Sequence, residues 1–494
     1  MNLVWLRSDL RTFDNPALVA AMSEGPTIAV YCLAQKQWDE HGISLAKRSL
    51  ILRQLVSLET SLAELNVPLM ILNSDHFNHI PKQLCQFVRS HNVSKVFMND
   101  EYELNERRCT ETTQRALSDL AVQSTVYVDQ CMMAPGTVLT KQGEMFKVYT
   151  AFKRAFMSEF PIQGRDLLGR PKPQAKSKCL PQSNLEELTS LLDGLDQQQD
   201  HADLWPAGEN YALEQLDRFV EEKAKDYADH RDFPDIQGTS TLSPYLAIGA
   251  ISTTQCVFAA LNQSDRSVNG GMTDGKDGIS VWINELIWRE FYRHFIVAYP
   301  QLCMHKPFKV DTDALPWKND SDLFDAWKQG QTGYPIVDAA MRQLNETGWI
   351  HNRLRMVVAM FLTKHLFLDW RLGEAYFMSR LVDGDFASNN GGWQWSASTG
   401  VDAAPYFRIF NPVRQSERFD QQGAFIKQYV PELAGLSAKE IHMPKPEVAR
   451  KLGYPQAIVN HAIAVKETKQ HFKNLSLPMD ERKQETLFIE AKIA

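Results

Sequence analysis

The sequence predicts an α/β N-terminal domain with a doubly wound parallel sheet, followed by a larger all-α domain. Over about the first 130 residues, short apolar runs alternate with amphipathic stretches of helical spacing, which is typical of parallel strands joined by crossover helices. Beyond about residue 207, strand-like runs nearly vanish while helical periodicity continues. With 494 residues and 44% hydrophobic content, the chain is long enough for two domains.

Five apolar runs are the predicted strands of the first domain, which we place at residues 1–131. They are Leu3–Leu6, Thr27–Leu33, Pro68–Leu72, Val93–Met98 and Ser124–Val128. The amphipathic stretches between them are the predicted helices Lys47–Leu65, Ile80–His91 and Asn105–Leu120. No Gly-x-Gly-x-x-Gly follows the first run, so the dinucleotide fingerprint is absent and a nicotinamide-dependent enzyme is disfavoured.

Residues 132–206 are predicted to form an inter-domain linker, because prolines recur there and a polar tract contains three consecutive glutamines. The helical domain is placed at residues 207–470, with a polar, glycine-rich loop at Asn262–Gly278. Its predicted helices are Ala212–Tyr227, Thr253–Leu261, Val281–Tyr299, Tyr334–Glu346, Asn352–Leu366 and Gly373–Leu381. Residues 471–494 are charged and are predicted to form a C-terminal helix or tail.

Composition limits the classes of function. There is no apolar run long enough to span a membrane, and the N-terminus lacks the layout of a signal peptide, so we expect a cytoplasmic protein. The 7 cysteines are scattered without metal-ligand spacing, so we expect reduced thiols and no metal site. The formal charge of −7 means that any binding of nucleic acid depends on a local basic surface.

The segment Asp383–Trp395 combines carboxylates, amides, glycines and two tryptophans. Such a composition is a poor start for a helix and a poor strand. It favours a floor beneath a flat ligand with polar edges, such as a fused-ring cofactor. The alternative is a loop with two core tryptophans. Within it, Asn389 and Trp393 are four residues apart and can share a helical face, whereas Trp395 faces another way.

A second cluster of unusual residues lies in the predicted helix Val281–Tyr299. Glu285, Trp288, Arg289 and Tyr292 follow helical spacing, which places a carboxylate, two aromatic rings and a guanidinium on one face. A core face would carry aliphatic residues there. This pattern indicates a cavity wall, and the alternative is a helix with a structural Glu–Arg pair.

Two further segments are compatible both with a ligand-binding role and with a purely structural role. In Trp349–Met356, Asn352 and Met356 share a face, and the arginines suit phosphates or an ordinary surface equally well. His351 taken alone favours a structural histidine. Gly238–Pro244 is a hydroxyl-rich helix start, which suits a phosphate, although ordinary N-capping explains the same residues.

Taken together and in order, four motifs resemble the photolyase/cryptochrome flavoprotein family. The chain carries Trp-Leu-Arg-Ser-Asp-Leu-Arg at 5–11 and specific blocks at 282–292, 332–342 and 383–395. The likeness covers nearly the whole chain and is greatest to bacterial class I cyclobutane pyrimidine dimer photolyases with a folate antenna. It implies light-driven repair of pyrimidine dimers in DNA, by electron transfer from excited FADH⁻ to the flipped-out dimer with no net redox change.

The resemblance also assigns the contacts to FAD. The implied contacts are Tyr227, Thr239, Ser240, Thr241, Leu242, Ser243, Trp282, Arg289, Arg355, Asp383, Gly384, Asp385 and Asn389. Asn389 matches the position beside flavin N5, where a carboxylic acid would protonate N5 and an amide helps to hold the anionic reduced flavin. Relatives often carry arginine at the position of Thr241, so one charge is missing here.

Substrate contacts follow from the same resemblance. Glu285 would hydrogen-bond the dimer, Trp288 and Trp395 would pack against it, and Asn352 and Met356 would complete the pocket. DNA contacts are implied for Arg231, Arg289, Arg353 and Arg408. A 6-4 photolyase would carry a histidine pair in the pocket, but Asn352 follows His351 here, which favours dimer repair.

Electron supply and light collection complete the implied functions. Trp393, Trp370 and Trp317 match the tryptophan chain that photoreduces the flavin, and Trp327 is a further indole of the same half. His41, Asn105, Glu106 and Cys303 match contacts to a 5,10-methenyltetrahydrofolate antenna, although Met304 stands where a relative has lysine. We expect a monomer that binds damaged DNA. The alternative is a cryptochrome-type blue-light sensor without repair activity.

Overall fold

Five parallel strands form one sheet in the N-terminal part of the computed structural model. They are β1 (Asn2–Leu6), β2 (Thr27–Leu33), β3 (Leu69–Asn73), β4 (Lys95–Asn99) and β5 (Gln123–Tyr127). Their order is β3-β2-β1-β4-β5, and every pairing is parallel. The chain therefore reverses its winding between β1 and β4, and in open α/β sheets ligands bind at the carboxyl ends of strands beside such a switch point.

The structure describes residues 1–160, 167–196, 199–263 and 275–475. Contacts divide the chain into two compact units. The first unit comprises Met1–His230, Gly238–Cys303 and Met378–Ser388. The second unit comprises Arg231–Gln237, Met304–Phe377 and Asn389–Ala494.

Helices make up most of the remaining chain. The α-helices are Pro16–Glu24, Gln35–Glu40, Leu45–Glu64, Ile80–Ser90, Leu104–Ser118, Tyr149–Glu159, Glu186–Asp193, Glu209–Glu222, Tyr227–His230, Ser243–Ile248, Thr253–Gln263, Gly278–Ala298, Ser321–Lys328, Pro335–Thr347, Asn352–Met360, Trp370–Arg380, Phe386–Ala397, Pro412–Phe419, Ala424–Tyr429, Pro446–Lys451 and His461–Asn474. Short 3-10 turns span Phe77–His79, Ala224–Asp226, Pro300–Met304, Val310–Ala314 and Pro431–Leu433, and one π-helical turn spans Phe361–His365.

Local chemistry explains where several helices begin. The Ser44 hydroxyl accepts the Lys47 N–H at 3.0 Å at the start of Leu45–Glu64, and Asp277 accepts the Ser280 N–H at 3.1 Å at the start of Gly278–Ala298. Each side chain satisfies a backbone donor that has no partner within its own helix. The buried strand residues Leu3, Trp5 and Ile28 belong to the core of the sheet domain.

The predicted fold class is confirmed, and one local prediction is wrong. The composition of the segment Asp383–Trp395 predicts a poor start for a helix, but the helix Phe386–Ala397 covers most of it, which also excludes the alternative of a loop. Asp385 accepts the Ser388 N–H at 3.0 Å and so caps the helix that the low propensities of Asn and Gly disfavour. The predicted single helix Asn352–Leu366 changes to a π-helical turn at Phe361.

Three other predictions fall partly outside the described residues. These are the linker 132–206, of which 161–166 and 197–198 are not described, the loop Asn262–Gly278, of which 264–274 are not described, and the C-terminal segment 471–494, of which 476–494 are not described. Among the described residues, no helix combines the length and the apolar character needed to cross a membrane.

Candidate cofactor and substrate site

In the first unit, one face of the helix Gly278–Ala298 carries charged residues at steps of one turn. Glu285, Arg289 and Arg293 lie at i, i+4 and i+8, so helical spacing brings them to the same side. Glu285 and Arg289 are half-buried, and Arg293 is buried. The face is therefore polar where a packed helix would be aliphatic.

Arg293 and Asp385 form a buried ion pair in this unit. The Nη2 atom of Arg293 lies 2.5 Å from Oδ1 of Asp385, and the side chains are only 4% and 14% exposed. Burial opposes ionisation of Asp385, but the neighbouring guanidiniums of Arg293 and Arg289 outweigh it and hold the pKa of Asp385 below its ordinary range. The other carboxylate oxygen caps Ser388, so Asp385 is fixed in position as an anion.

Arg289 is held by three acceptors of the protein. It donates to the carbonyl oxygen of Gln130 at 2.6 Å, to the Thr253 hydroxyl at 2.9 Å and to the carbonyl oxygen of Leu246 at 3.3 Å. These bonds fix the guanidinium beside Asp385. Its predicted contacts to cofactor and substrate stay predictions.

The hydroxyl-rich segment 238–244 meets the first aspartate of the 383–385 motif. Ser243 Oγ donates to Asp383 Oδ2 at 2.6 Å, and Lys47 Nζ donates to the carbonyl oxygen of Gly384 at 2.6 Å. Thr241 is exposed and has a left-handed φ of 51°. The helix Ser243–Ile248 has only six residues, so the hydroxyls, and not a long helix dipole, are the binding groups that this segment offers.

Several aromatic residues of the first unit pack against one another. Tyr227 and Trp282 are buried against the Phe219 ring, with centroids at 5.8 Å and 4.7 Å. Trp288 stacks on Tyr149 with centroids 3.4 Å apart and planes 7° apart. Stacking on one face of Trp288 fixes the plane of an indole that is only half-buried.

In the second unit, the amide of Asn389 is held in one orientation. Its Nδ2 donates to the carbonyl oxygen of Glu374 at 3.0 Å, which directs the amide oxygen away from that contact. The buried Glu374 carboxylate in turn accepts Asn390 Nδ2 at 2.6 Å and lies 3.0 Å from His305 Nδ1. This carboxylate raises the pKa of His305 above its ordinary value. The arrangement presents an oriented acceptor at Asn389.

Trp393 is packed so closely that one neighbour must be glycine. A Cβ atom added at Gly373 would lie 2.0 Å from Cη2 of Trp393. The indole also meets Phe377 edge-on at 5.0 Å and Trp327 edge-on at 6.0 Å. Of the other two residues in the predicted tryptophan electron-transfer chain, Trp370 is buried and Trp317 is half-buried. The ring centroids of Trp317 and Phe367 lie 4.9 Å apart.

Trp395 lies two positions beyond Trp393 on the helix Phe386–Ala397. Trp393 is 2% exposed, whereas Trp395 is half-buried. Two positions correspond to about 200° around a helix, so the two indoles face different ways, as predicted. Trp393 is thus a core residue, and Trp395 remains accessible.

The predicted DNA and pocket residues of the second unit differ in their exposure. Asn352 and Arg408 are exposed, whereas Met356, Arg355 and Arg231 are half-buried. The Nε atom of Arg355 donates to the carbonyl oxygen of Ile350 at 2.9 Å. Arg353 lies 2.6 Å from Asp232 and its guanidinium covers the Phe419 ring at 4.5 Å. A phosphate contact by Arg353 would therefore compete with an existing ion pair.

The four predicted antenna residues come together in the first unit. His41 Nε2 lies 3.0 Å from Asn105 Nδ2, and His41 Nδ1 lies 3.7 Å from Glu106 Oε1. Cys303 lies against Leu104, at the start of the helix that carries Asn105 and Glu106. Burial and the neighbouring carboxylates Glu103 and Glu101 raise the pKa of Glu106 well above its ordinary value.

A cavity of about 120 Å³ opens beside these residues at the carboxyl ends of β1 and β2. His41 and Glu106 line it on one side, and Arg7 and Glu101 line it at the switch point between β1 and β4. A ligand site at this edge is what the topology of an open parallel sheet favours.

Sequence reasoning missed Arg293, Gly373 and Glu374. Arg293 continues the helical step from Glu285 through Arg289, so the same periodicity could have found it. No local pattern marks Gly373 or Glu374, since their roles depend on a tertiary contact and on a carboxylate that is buried only after folding.

Known proteins match this chain along nearly its whole length. Residues 282–474 match the family model described as the FAD binding domain of DNA photolyase, and residues 2–175 match the model described as DNA photolyase. The deoxyribodipyrimidine photo-lyase of Vibrio cholerae is 45% identical over 464 residues, which cover 93% of this chain and 97% of that protein.

Solved structures give the same result. A class III photolyase from Agrobacterium tumefaciens is 35% identical with a TM-score of 0.82, and the alignment covers 96% of this chain and 97% of that one. A cryptochrome from Synechocystis is 28% identical with a TM-score of 0.81, covering 95% and 98%. The fold and the matched FAD-binding domain define a flavoprotein. Within that class, the chain belongs to the photolyase/cryptochrome family.

Proposed function

We propose that this protein is a deoxyribodipyrimidine photo-lyase, an enzyme that uses light to split cyclobutane pyrimidine dimers in DNA. The observation that carries the proposal is its 45% identity to a protein of that name over 93% of the chain. At this similarity and coverage, the reaction is a better supported inference than one drawn from the shared fold alone.

FAD is the cofactor that the residues of the matched domain fit. The oriented amide of Asn389 offers an oxygen that can accept an N–H at the edge of a ring, and an amide cannot readily donate a proton to a ring nitrogen. This property supports retention of the anionic reduced state. When bound and reduced, FAD supplies the light-driven electron that opens the cyclobutane ring.

Residues of the first unit would hold polar parts of the cofactor. Asp383 and Asp385 are carboxylates fixed by Ser243 and Arg293, and Thr239 and Ser240 add half-buried hydroxyls. The remaining proposed FAD contacts are Tyr227, Thr241, Leu242, Ser243, Trp282, Arg289, Gly384, Arg355 and Asn389.

Glu285 and Trp288 would meet the lesion. A half-buried carboxylate can hydrogen-bond the pyrimidine edge, and an indole fixed by stacking on Tyr149 offers a flat surface to a base. Trp395, Asn352 and Met356 would complete the contact. A dimer must leave the duplex stack to be reached, and photolyases as a class flip their target nucleotides out of the helix.

Backbone contacts would come from arginines, because the net charge of −7 gives no general attraction to DNA. Arg408 is exposed, Arg231 is half-buried, and Arg353 must exchange its pairing with Asp232. We assign Arg408 the largest share of the phosphate contact for this reason.

Trp393, Trp370 and Trp317 would supply electrons that return oxidised flavin to its reduced state. This supply is separate from repair. His41, Asn105, Glu106 and Cys303 would bind a 5,10-methenyltetrahydrofolate antenna, since a carboxyl group with a raised pKa can both donate to and accept from a pterin edge.

We further propose the domain limits 1–131, 132–206 and 207–470, a cytoplasmic location and a monomeric state. Sedimentation of the purified chain would test the last. A cryptochrome-type sensor is the second candidate function, favoured by the structural likeness to the Synechocystis cryptochrome.

The deciding experiment uses purified, FAD-loaded protein that has been chemically reduced. Under near-UV light it is incubated with an oligonucleotide that contains one thymine dimer, and the restored thymines are counted. Light-dependent repair is expected. Absence of repair with bound, reduced flavin would overturn the proposal in favour of the sensor, and a dark sample serves as the control.

A further inference from the structure

Tyr149 packs against the helix Gly278–Ala298, which carries two of the proposed lesion contacts. It is the first residue of the helix Tyr149–Glu159, and its side chain is buried. The phenol ring lies parallel to the Trp288 indole, with centroids 3.4 Å apart and planes 7° apart. The Phe291 ring meets Tyr149 edge-on at 5.7 Å, so the phenol is itself held in position.

This stack restricts the side chain of Trp288. Trp288 is half-buried, so part of its indole is open to a ligand. A mobile side chain that becomes ordered on binding loses conformational freedom, and this loss weakens the complex. Because Tyr149 imposes one plane on the indole before a ligand arrives, less freedom is lost when a base packs on it.

The hydroxyl of Tyr149 contacts the residue that precedes Glu285. Its oxygen lies 2.7 Å from Oδ1 and 2.9 Å from the carbonyl oxygen of Asn284. When the hydroxyl holds the amide oxygen, the amide nitrogen of Asn284 is directed to the other side. There, Nδ2 donates to Oε1 of Glu285 at 3.4 Å. The phenol, the amide and the carboxylate therefore form a connected series.

We propose that Tyr149 is a positioning residue for both lesion contacts of this helix. Its ring sets the plane of Trp288. Its hydroxyl acts through Asn284 and orients the carboxylate of Glu285. This inference rests on the proposed function, because it takes a pyrimidine dimer as the ligand of these two side chains. It requires no contact of Tyr149 with the dimer or with the flavin.

The two roles of Tyr149 affect different quantities. The plane of Trp288 contributes to the affinity for a flipped-out dimer, which is measured in the dark. Glu285 is assigned the hydrogen bond that the dimer keeps while its ring opens, so the orientation of the carboxylate affects the yield of repair. Removal of the hydroxyl alone therefore changes the yield, whereas removal of the ring changes the affinity as well.

The test uses FAD-loaded, chemically reduced protein and one oligonucleotide with or without a single thymine dimer. Tyr149→Phe keeps the ring, so its dark affinity for the dimer should equal that of wild type, and its repair yield at saturating oligonucleotide should fall. Tyr149→Leu also removes the ring. Its preference for the dimer-containing strand should fall by about two- to tenfold, the factor that corresponds to ordering one side chain.

Two matched controls separate positioning from packing. Tyr245→Phe removes a hydroxyl that donates to the carbonyl oxygen of Pro206 at 2.9 Å, and it should leave the repair yield unchanged. Phe152→Leu removes a buried ring of the same helix as Tyr149, which packs on Phe291, and it should leave the preference for the dimer unchanged. A control that shows the same loss as the corresponding Tyr149 variant would overturn the positioning role.

A measurement without substrate follows the indole directly. Protein that contains 5-fluorotryptophan is examined by fluorine NMR, and the Trp288 signal is assigned by its absence from Trp288→Phe. The signal should keep its width in Tyr149→Phe and narrow in Tyr149→Leu, because the released indole moves faster than the protein. An unchanged width in Tyr149→Leu would overturn the role of the ring.

Asn284→Ala tests the role of the hydroxyl. It should lower the repair yield as Tyr149→Phe does, and the double variant should lose no more than either single variant, because both changes interrupt the same series of contacts. Additive losses, or a wild-type yield in Tyr149→Phe, would overturn this role. Absence of repair in the wild type would instead overturn the proposed function, and the dark affinities and the fluorine signal would still test the ring.

Discussion

Replacing Gly373 by alanine tests how tightly Trp393 is held. A Cβ atom at this position would lie 2.0 Å and 2.3 Å from Cη2 and Cζ3 of Trp393 and 2.7 Å from Cδ2 of Leu362. Carbon atoms in contact are separated by about 3.5–4.0 Å. The indole must therefore move by more than about 1 Å in a closely packed core.

Two opposing terms set the size of the effect. Overpacking of this kind costs about 1–3 kcal/mol, and we take the upper end because three atoms clash. Alanine is favoured over glycine within a helix by about 1 kcal/mol. The net loss is about 2 kcal/mol, which lowers the melting temperature of a unit of about 190 residues by about 4–8 °C.

The assay is thermal unfolding of the FAD-loaded protein, followed by circular dichroism and by flavin release. Gly435→Ala is the matched control, because no atom lies within 4 Å of its added Cβ and its φ is not in the left-handed region. That control should shift stability by less than about 0.5 kcal/mol. An unchanged or raised melting temperature in Gly373→Ala would refute the packing argument.

The remaining predictions concern charged residues of the first unit. Glu285→Ala should lower the yield of repaired dimer per absorbed photon while flavin absorbance is kept, and an unchanged yield would remove its assigned role. Asp385→Asn leaves Arg293 buried without its carboxylate, so chemical denaturation should show a loss of about 3–5 kcal/mol. A denaturant unfolding curve equal to that of wild type would contradict this ion pair. Burial raises the pKa of Glu290 from its ordinary value of 4.5 to about 7, so the folded state holds a proton more tightly than the unfolded state. That stabilisation is complete below pH 4.5 and is lost as the pH rises through 7, by about 3 kcal/mol. Glu290→Gln should flatten this pH dependence, and a slope equal to that of wild type would exclude the residue as its source.

Much of the fold follows from residue patterns. The sequence predicts the strands Thr27–Leu33 and Lys95–Asn99 to within two residues, because buried parallel strands are continuous apolar runs between turn residues. Helices with a strong apolar stripe are also predicted, and the bounds of Pro335–Thr347 are predicted to within one residue at each end. These elements depend on information that is local in the sequence.

The errors have physical causes that lie outside a local window. Phe386–Ala397 is a helix because Asp385 caps it and because Trp393 packs on Gly373, and both contacts override weak propensity. The π-helical turn at Phe361–His365 has no sequence signature that we can identify. For the site, sequence motifs identify the polar residues. Only the folded structure shows that Glu374 orients the amide of Asn389 and that Arg353 is already paired with Asp232.

The switch point between β1 and β4 has an evolutionary consequence. Every residue that lines the cavity at this edge belongs to the first unit, whereas Trp317, Trp370 and Trp393 belong to the second. The proposed antenna site and the proposed electron donors therefore share no side chain. Under this proposal, a lineage that moves to a habitat with different light could change its absorbing pigment by substitutions at the sheet edge, while the indoles assigned to flavin reduction stay as they are.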